Sequence, residues 1–295
     1  MRIFLTGATG FIGSHVLPQL LAAGHQVIGM SRSEAGARQL LAAGAEVHRG
    51  DLDDPSTLRG GADQADAVIH CAFDHDFSRF VANCQKDARN IEALGEALAG
   101  SSRPLIVTSG TGMGSHGPGT IATEAYFDEA NPNPRKLSEQ TGNAVPAARG
   151  VNISYVRLPQ VHDTRKQGLI TPLIDMARAR GRVAYVGEGN SRFAAAHVSD
   201  VARLYRLVVE RAEPGARYHA VGEEGVSMRD IAEVLGRSLA LPVVSLTGDE
   251  VAEHFGWMAM FADHDMPASS AITQKQLGWT PIGPGLLADL EQLEL

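Results

Sequence analysis

Three glycines near the amino end constrain the fold more than any other feature of this chain. Gly7, Gly10 and Gly13 stand three residues apart, between a short apolar stretch and a segment with helical periodicity. Glycine lets the chain turn sharply, lets a helix pack close to a strand and lets a phosphate approach the backbone. The free N–H groups at the start of the helix point towards the place where that phosphate would lie. The pattern predicts a strand–turn–helix unit that binds the diphosphate of a dinucleotide, and a purely structural glycine turn is the alternative.

Strands and helices alternate through the first half of the chain. The periodicity predicts strands at 2–6, 25–30, 45–48, 67–70, 105–108 and 151–156, and helices at 12–23, 34–43, 77–99 and 135–149, with one more beginning near Asp54. Strands separated by helices form a parallel sheet covered on both faces, and right-handed crossovers make such a sheet doubly wound. We expect Pro18 to kink the first helix, because proline removes an interior hydrogen bond.

The second half of the chain is less regular. Its pattern predicts helices near 169–180, 199–211, 227–238 and 284–293, and short strands near 183–186 and 217–221. No linker separates two independent domains. We therefore expect an α/β fold in which residues 1–163, joined again by 196–222, form the doubly wound sheet. Residues 164–295 then form a smaller C-terminal α/β cap that binds substrate at the carboxyl edge of the sheet.

Charge and cysteine usage narrow the classes of partner. The formal net charge of −8 argues against nucleic acid or an anionic membrane surface, since either favours a basic face. No signal peptide and no apolar run of about 18 residues is present, which indicates a cytoplasmic protein. Cys71 and Cys84 have neither disulfide nor zinc-site spacing, so we expect two buried thiols and no metal site.

The residues that follow the second and third strands bear on the choice of nucleotide. An NAD site usually places an acid after the second strand, whereas this chain has Ser31 and Arg32. A guanidinium can form paired hydrogen bonds with a 2′-phosphate, so we predict NADP rather than NAD. Asp51 and Leu52 would flank the adenine. The alternatives are an ordinary surface arginine and an ordinary turn aspartate.

The motifs together resemble the extended short-chain dehydrogenases/reductases, which include nucleotide-sugar epimerases, dihydroflavonol-type reductases and 3β-hydroxysteroid-type dehydrogenases. The matching segments are 6–13, 50–53, 68–72, 107–110, 156–162 and 197–202. The resemblance implies a Rossmann sheet, and places Pro159 and Val161 beside the nicotinamide. The full set of predicted cofactor-binding residues is Gly7, Thr9, Gly10, Phe11, Ile12, Gly13, Ser31, Arg32, Asp51, Leu52, Cys71, Ala72, Phe73, Thr108, Arg135, Pro159 and Val161.

The chain departs from the family pattern at its active site. These enzymes typically carry a Tyr-xxx-Lys pair, but the tyrosine position here holds Asn131 and the lysine position holds Arg135. In this respect the chain resembles atypical members of the superfamily. An amide cannot give up a proton at useful pH. The predicted catalytic residues are Ser109, Thr111, Tyr126, Arg135 and His162, and His75 and His116 are further candidate proton sources. Each of these side chains also has a purely structural interpretation.

These observations predict an NADP-dependent oxidoreductase that transfers hydride to a small apolar carbonyl or enone-like substrate with an atypical proton donor. Two alternatives stay open, a catalytically silent NADP sensor or scaffold, and an epimerase or dehydratase that retains its cofactor. The Gly-rich loop 110–119 is a candidate lid, and 254–261 is either a pocket lining, part of the core or a subunit contact. The helices at 77–99 and 135–149 could pair in a homodimer.

Overall fold

The computed structural model describes residues 1–117 and 119–294, with the backbone alone for 146–149. The strands within it are β1 Arg2–Thr6, β2 Gln26–Ser31, β3 Glu46–Arg49, β4 Ala67–His70, β5 Pro104–Gly110, β6 Asn152–Leu158, β7 Gln160–His162, β8 Val183–Val186, β9 Arg192–His197, β10 Arg217–His219, β11 Glu223–Ser227 and β12 Val243–Leu246. Seven of these form one parallel sheet in the order β10-β6-β5-β4-β1-β2-β3.

Helices connect the strands and cover the sheet. They are α1 Gly13–Ala22, α2 Glu34–Ala42, α3 Pro55–Ala62, α4 Phe80–Leu98, α5 Leu137–Arg149, α6 Ile170–Arg180, α7 Val198–Arg211, α8 Met228–Leu239, α9 Asp249–Phe255, α10 Ala259–Ala262, α11 Ala271–Leu277 and α12 Leu286–Glu291. Most of the parallel strands follow one another through a helix, and this connectivity makes the sheet doubly wound.

Alternate residues of β1 face opposite sides of the sheet. Ile3 and Leu5 pack with α1, α2 and α7, whereas Phe4 packs with α3, α4 and α5. All three side chains are fully buried. Because both faces are covered, the central strands are apolar at successive positions in their middle parts, which is typical of parallel sheets. The predicted α/β class and doubly wound sheet are confirmed.

The cap has its own apolar core beyond the carboxyl edge of the large sheet. Residues of α6, α8, α9 and α12 pack together around the small parallel sheet β12-β8. A second small sheet, β11-β9-β7, continues the chain from the end of β6 into this cap. The chain then returns, since α7 packs on α1 and β10 adds to the edge of the large sheet. A division of the chain at residue 163 stays a prediction.

The structure differs from expectation mainly in short elements. The long helix predicted from residue 77 begins as a 3₁₀ turn, Phe77–Arg79, and the helix predicted from 135 begins as the turn Pro134–Lys136. The strands β7, β9, β11 and β12 have no counterpart in the prediction. Helix α1 runs through Pro18. In the part of the chain that the structure describes, every helix is too short or too polar to span a bilayer.

Candidate dinucleotide and active site

The glycine turn forms a cradle between β1, β4 and α1. Gly7 has a φ of 68°, and a Cβ there would lie 2.8 Å from the backbone nitrogen of Ala72. A Cβ at Gly13 would overlap the Gly7 carbonyl oxygen. The N–H groups of Phe11 and Ile12 donate to no acceptor within the described chain, and no side chain caps α1. Bare backbone and a free helix N-terminus fit a diphosphate at this turn.

The end of β2 provides the surface predicted for the adenosine side. Ser31 is buried and its hydroxyl donates to the Ser33 carbonyl at 3.1 Å, while Ser33 caps α2 by accepting from Gly36. Arg32 is exposed and forms no ion pair among the residues described. The Asp51 carboxylate accepts from the Asp53 N–H at 3.1 Å, so it stabilises a turn and keeps its other oxygen available.

A buried polar network lies below the edge of the sheet, between β4, β5, α4 and α5. Asp87 of α4 accepts from His70 Nε2 at 3.1 Å, from Arg135 Nη1 at 2.6 Å and from Ser138 Oγ at 2.7 Å. Nδ1 of the same histidine bonds to the Thr6 hydroxyl at 2.8 Å, and that hydroxyl also accepts from the Ala72 N–H. The network therefore connects the glycine turn with the lysine position of the family pattern.

The protonation of Asp87 follows from its partners. Burial alone raises the pKa of a carboxyl group, but the Arg135 guanidinium and the hydrogen bonds from His70 and Ser138 outweigh burial here and hold the pKa of Asp87 well below its usual range. The carboxylate is therefore ionised, and it largely cancels the positive charge of Arg135.

Arg135 keeps part of its hydrogen-bonding capacity. Nη1 bonds to Asp87 and Ser138, and Nη2 donates to the Thr108 carbonyl at 2.9 Å. The Nε–H and the second Nη2 hydrogen have no acceptor among the described residues. The ring of Phe73 covers one face of the guanidinium, 4.1 Å from Cζ to the ring centroid. The predicted residues Phe73, Thr108 and Arg135 thus lie together at the carboxyl edge.

The predicted tyrosine position is occupied by a structural asparagine. Asn131 Nδ2 donates to the Gly112 carbonyl at 3.3 Å, and its Oδ1 accepts from the Asn133 N–H at 2.9 Å. Both ends of the amide are used to hold the loop before Arg135. No proton donor stands in for the missing tyrosine at this position.

Tyr126 lies on a firmly anchored segment near this loop. Its carbonyl accepts from Arg157 Nη1 at 2.8 Å, and its ring stacks on His116 with centroids 3.7 Å apart. Two residues earlier, Glu124 accepts from the backbone and hydroxyl of Thr273, each at 2.8 Å. The Tyr126 hydroxyl has no partner in the described chain, and Pro118 of the Gly-rich loop lies outside the described residues.

Arg157 is anchored by a fully buried carboxylate. Glu139 of α5 accepts from Arg157 Nε at 2.7 Å and Nη2 at 2.8 Å, and also from Arg217 Nε at 2.8 Å. Burial would raise the pKa of Glu139, but the two arginines lower it. His219 accepts from Arg157 through Nε2 and donates to the Ser269 carbonyl through Nδ1. Burial and the arginine charge lower the pKa of His219 to about 3.

The other predicted catalytic residues lie in different surroundings. His162 is fully buried and donates from Nδ1 to Asp289 at 2.6 Å, within the cap. Burial lowers its pKa despite that carboxylate. Ser109 is buried near the end of β5 and Thr111 in the turn that follows, and the Ser109 hydroxyl has no hydrogen-bond partner among the described residues. A catalytic role for these residues stays a prediction, and the placement of His162 does not favour one.

The two residues predicted to lie beside the nicotinamide stand at the junction of β6 and β7. Val161 is buried in the main core, so only its backbone is available to a ligand, and Pro159 is half-buried. Cys71 is half-buried, and surrounding protein raises the pKa of its thiol to about 12. It is therefore a packed thiol and not a nucleophile at neutral pH.

Aromatic rings extend from Arg135 into the cap. Phe73 contacts Phe80 edge-on at 6.3 Å, and Phe80 packs with Phe77 at 5.6 Å. Phe77 then stacks on Trp257 with centroids 5.1 Å apart and planes 14° apart. Trp257 remains 48 % exposed. Segment 254–261 therefore has two environments: Phe255 and Met258 are in the cap core, and Trp257 is exposed at the surface.

Sequence reasoning missed two residues that the structure places at this site, Asp87 and Lys166. A signal for the first was present, because Asn83, Asp87 and Asn90 recur at helical spacing on the apolar face of α4, and all three are buried. Polar residues on a buried stripe must find partners. Lys166 gave no such signal, because its position depends on a turn after β7.

Fold and site define a dinucleotide-binding α/β protein of the short-chain dehydrogenase/reductase type. The model of the NAD dependent epimerase/dehydratase family matches residues 3–221, and the chain belongs to this family. Over 98 % of both chains it is 45 % identical to a Schizosaccharomyces pombe protein described as uncharacterized protein C2A9.02.

Better-described relatives are more distant. The chain is 25 % identical to a 4-hydroxy-2-methyl-3-oxo-4-farnesyl-3,4-dihydroquinoline-1-oxide ketoreductase of Stigmatella aurantiaca, over 91 % of this chain and 84 % of the other. The fold of this chain matches that of the dTDP-glucose 4,6-dehydratase DesIV of Streptomyces venezuelae, which was solved with NAD. The TM-score is 0.78, at 20 % identity over 99 % of this chain and 95 % of the other. At that identity the likeness shows the fold alone.

Proposed function

We propose that this protein is an NADPH-dependent reductase of a small, apolar, enone-like or carbonyl substrate. The observation that carries the proposal is the position of Arg135. Arg135 lies beside the glycine cradle, its charge is balanced by the Asp87 carboxylate, and it retains two free N–H groups. Two N–H groups on one planar guanidinium suit the neighbouring hydroxyls of a ribose. We therefore assign the nicotinamide ribose to Arg135.

The choice of NADPH rests on the end of β2. Arg32 is exposed and unpaired in the described chain, Ser31 and Ser33 supply hydroxyls, and no acid stands where an NAD enzyme would bind the ribose. Glu34 is the nearest carboxylate along the chain, and it pairs with Arg49. A 2′-phosphate would gain a charge-assisted contact from Arg32. We expect Arg32→Gln to weaken NADPH binding about tenfold and to leave NADH binding unchanged.

The active site favours a reaction that needs little acid catalysis. When bound, the reduced cofactor supplies a hydride. Reduction of a ketone also needs a proton on oxygen, and a placed acid contributes roughly 10²–10⁴-fold. Asn131 cannot give one, and Arg135 is tied to its carboxylate. Hydride addition to the β-carbon of an enone leaves a stabilised enolate, whose α-carbon can be protonated by water or by the Tyr126 hydroxyl.

Aromatic residues support an apolar substrate. The rings of Phe73, Phe77 and Trp257 border the cleft between the sheet edge and the cap, next to the guanidinium of Arg135. Two relatives are by name reductases of oxo compounds that carry an apolar chain, the farnesyl-bearing substrate of the Stigmatella ketoreductase and the alkyl-bearing one of a 2-alkyl-3-oxoalkanoate reductase of Stenotrophomonas maltophilia. A cleft bordered by rings suits such molecules better than it suits a charged nucleotide-sugar.

A matched pair of substrates tests the proposal. NADPH oxidation is followed with 4-phenylbut-3-en-2-one and with its saturated ketone, using the native chain and Tyr126→Phe. We expect the enone to react at least tenfold faster than the ketone, and Tyr126→Phe to lower the enone rate by no more than a few-fold, because water can also protonate the enolate. Equal rates for the two compounds would contradict the enone preference. Binding of NADPH without turnover of either compound would instead support the sensor.

The silent sensor remains the second candidate, because Asn131 stands at the tyrosine position and both ends of its amide are used in structural hydrogen bonds. It predicts a protein partner whose affinity changes with the redox state of the cofactor. An epimerase or dehydratase that retains its cofactor predicts dinucleotide released on denaturation of the purified protein. The proposal also includes a cytoplasmic location, where the free thiols of Cys71 and Cys84 stay reduced, and a homodimer through α4 and α5, which sedimentation would test.

A further inference from the structure

A short turn after β7 carries a lysine towards the glycine cradle. The turn spans residues 163–167, where the backbone doubles back so that the Asp163 N–H donates to the Lys166 carbonyl at 2.9 Å. The Asp163 carboxylate accepts from the N–H groups of Arg165 and Lys166 at 2.8 and 2.7 Å. These bonds fix the direction in which the middle of the turn projects.

The other side of the turn is held by the carboxyl-terminal segment. Glu294 accepts from the Thr164 hydroxyl at 2.9 Å and from Arg165 Nε at 2.7 Å, and its own N–H donates to the Thr164 carbonyl. The Arg165 side chain is therefore directed towards the carboxyl-terminal segment and its charge is paired with Glu294. Lys166 is exposed and forms no ion pair among the described residues.

Lys166 reaches over the cradle itself. Its Nζ lies 5.8 Å from the centre of the Phe11 ring, and Phe11 is the residue whose free N–H begins the phosphate-facing side of the turn. Within the same turn, His15 Nδ1 bonds to the Phe11 carbonyl at 2.8 Å. The charge of Lys166 also reaches His75 at the end of β4, where burial, Arg135 and Lys166 together lower the pKa of that imidazole.

The cradle needs such a cation. The first turn of α1 contains no lysine or arginine, and the ring of its His15 bonds back to the Phe11 carbonyl, so the helix end offers N–H groups and a partial charge of about one half. A dinucleotide brings two negative charges to this point. We infer that Lys166 binds the diphosphate from the cap side and closes the cradle opposite the α1 N-terminus, an assignment that rests on the proposed dinucleotide function.

The test separates this cation from Arg32 and from its own neighbour. Calorimetry measures the binding of two probes, ADP-ribose, which contains the diphosphate, and adenosine 2′-monophosphate, which lacks it. The variants are Lys166→Gln, Lys166→Arg and the matched control Arg165→Gln. We expect Lys166→Gln to weaken ADP-ribose binding about tenfold, to reduce its salt dependence, and to leave the 2′-monophosphate unchanged. Lys166→Arg and Arg165→Gln should bind ADP-ribose like the native chain.

Each result has a definite meaning. Native affinity of Lys166→Gln for ADP-ribose, or an equal loss in Arg165→Gln, would overturn the role of Lys166 and leave the proposed function intact. Failure of the native chain to bind ADP-ribose or NADPH would overturn the proposed function and this inference with it. Thermal unfolding checks the fold, and we expect no change for Lys166→Gln because its side chain makes no structural bond in the described chain.

Discussion

Replacement of Asp87 by Asn tests the central electrostatic claim about the site. The carboxylate is 4 % exposed and accepts three hydrogen bonds, from His70, Arg135 and Ser138. An amide has only one oxygen, so its NH₂ group must face at least one of these donors. The substitution also leaves the Arg135 charge without its partner. Breaking a buried pair by removal of one partner costs about 3–5 kcal/mol.

The assay is denaturant unfolding, with the melting temperature as a second readout. A loss of about 3–5 kcal/mol corresponds to a fall on the order of 5–10 °C in a chain of this size. Ser138→Ala is the matched control, since it removes one hydroxyl from the same carboxylate and should cost about 1 kcal/mol. A destabilisation below about 1 kcal/mol in Asp87→Asn, or an equal loss in the serine variant, would refute the reasoning.

The pH dependence of the unfolding free energy is a second test of the stabilisation by ionised Asp87. The folded pKa of Asp87 is held below the unfolded value of about 3.9, so its contribution to stability is present above that value and is lost as the pH falls through the folded pKa. The difference in unfolding free energy between the native chain and Asp87→Asn should therefore shrink only below about pH 4. A difference that shrinks between pH 7 and 5 would point to another group.

Three further outcomes follow from single residues. Gly13→Ala places a methyl group against backbone and should raise the Kd for NADPH at least tenfold by calorimetry, whereas Gly112→Ala, with open space around it, should fold and bind normally. His219 stays neutral in the folded chain because its pKa is lowered to about 3, whereas it gains a proton on unfolding. The unfolding free energy of the native chain should therefore fall by about 2 kcal/mol between pH 7 and 5, and that of His219→Gln should not. Identical pH profiles of the two proteins would exclude this effect. Loss of the stack on Phe77 in Trp257→Ala should raise the KM for the phenyl enone by 2–10-fold without changing NADPH affinity, and an unchanged KM would remove the ring from the substrate site.

The glycine turn and the large sheet could be predicted because their signals are local. The three-residue glycine spacing lies within one strand–turn–helix unit, where Gly13 is required by its close approach to Gly7, and the buried strands of a parallel sheet are apolar at successive positions. Most observed element boundaries differ from the predicted ones by one or two residues, as at β2, and α4 begins three residues later than predicted. The family resemblance also followed from local motifs, and the family match confirms it.

The cap and the interior of the site could not be predicted in the same way. Strand β9 pairs with β7 and β11, which come from distant parts of the chain and are only three and five residues long. Asp87 and Arg135 are 48 positions apart and meet only because α4 and α5 pack together. Such pairings depend on three-dimensional packing, which a periodic pattern does not encode.

The return of the chain through α7 has a consequence for how this protein can be divided. Val201, Tyr205 and Val208 of that helix lie in the same apolar core as β1 and α1, and the indole of Trp279 donates to the carbonyl of Asp200 at 3.0 Å. A recombinant piece that stops at residue 163 would thus expose to water the part of this sheet face and of α1 that α7 covers, and would be prone to aggregate. Shuffling of caps between relatives would have to exchange segments on both sides of this helix while leaving the helix in place.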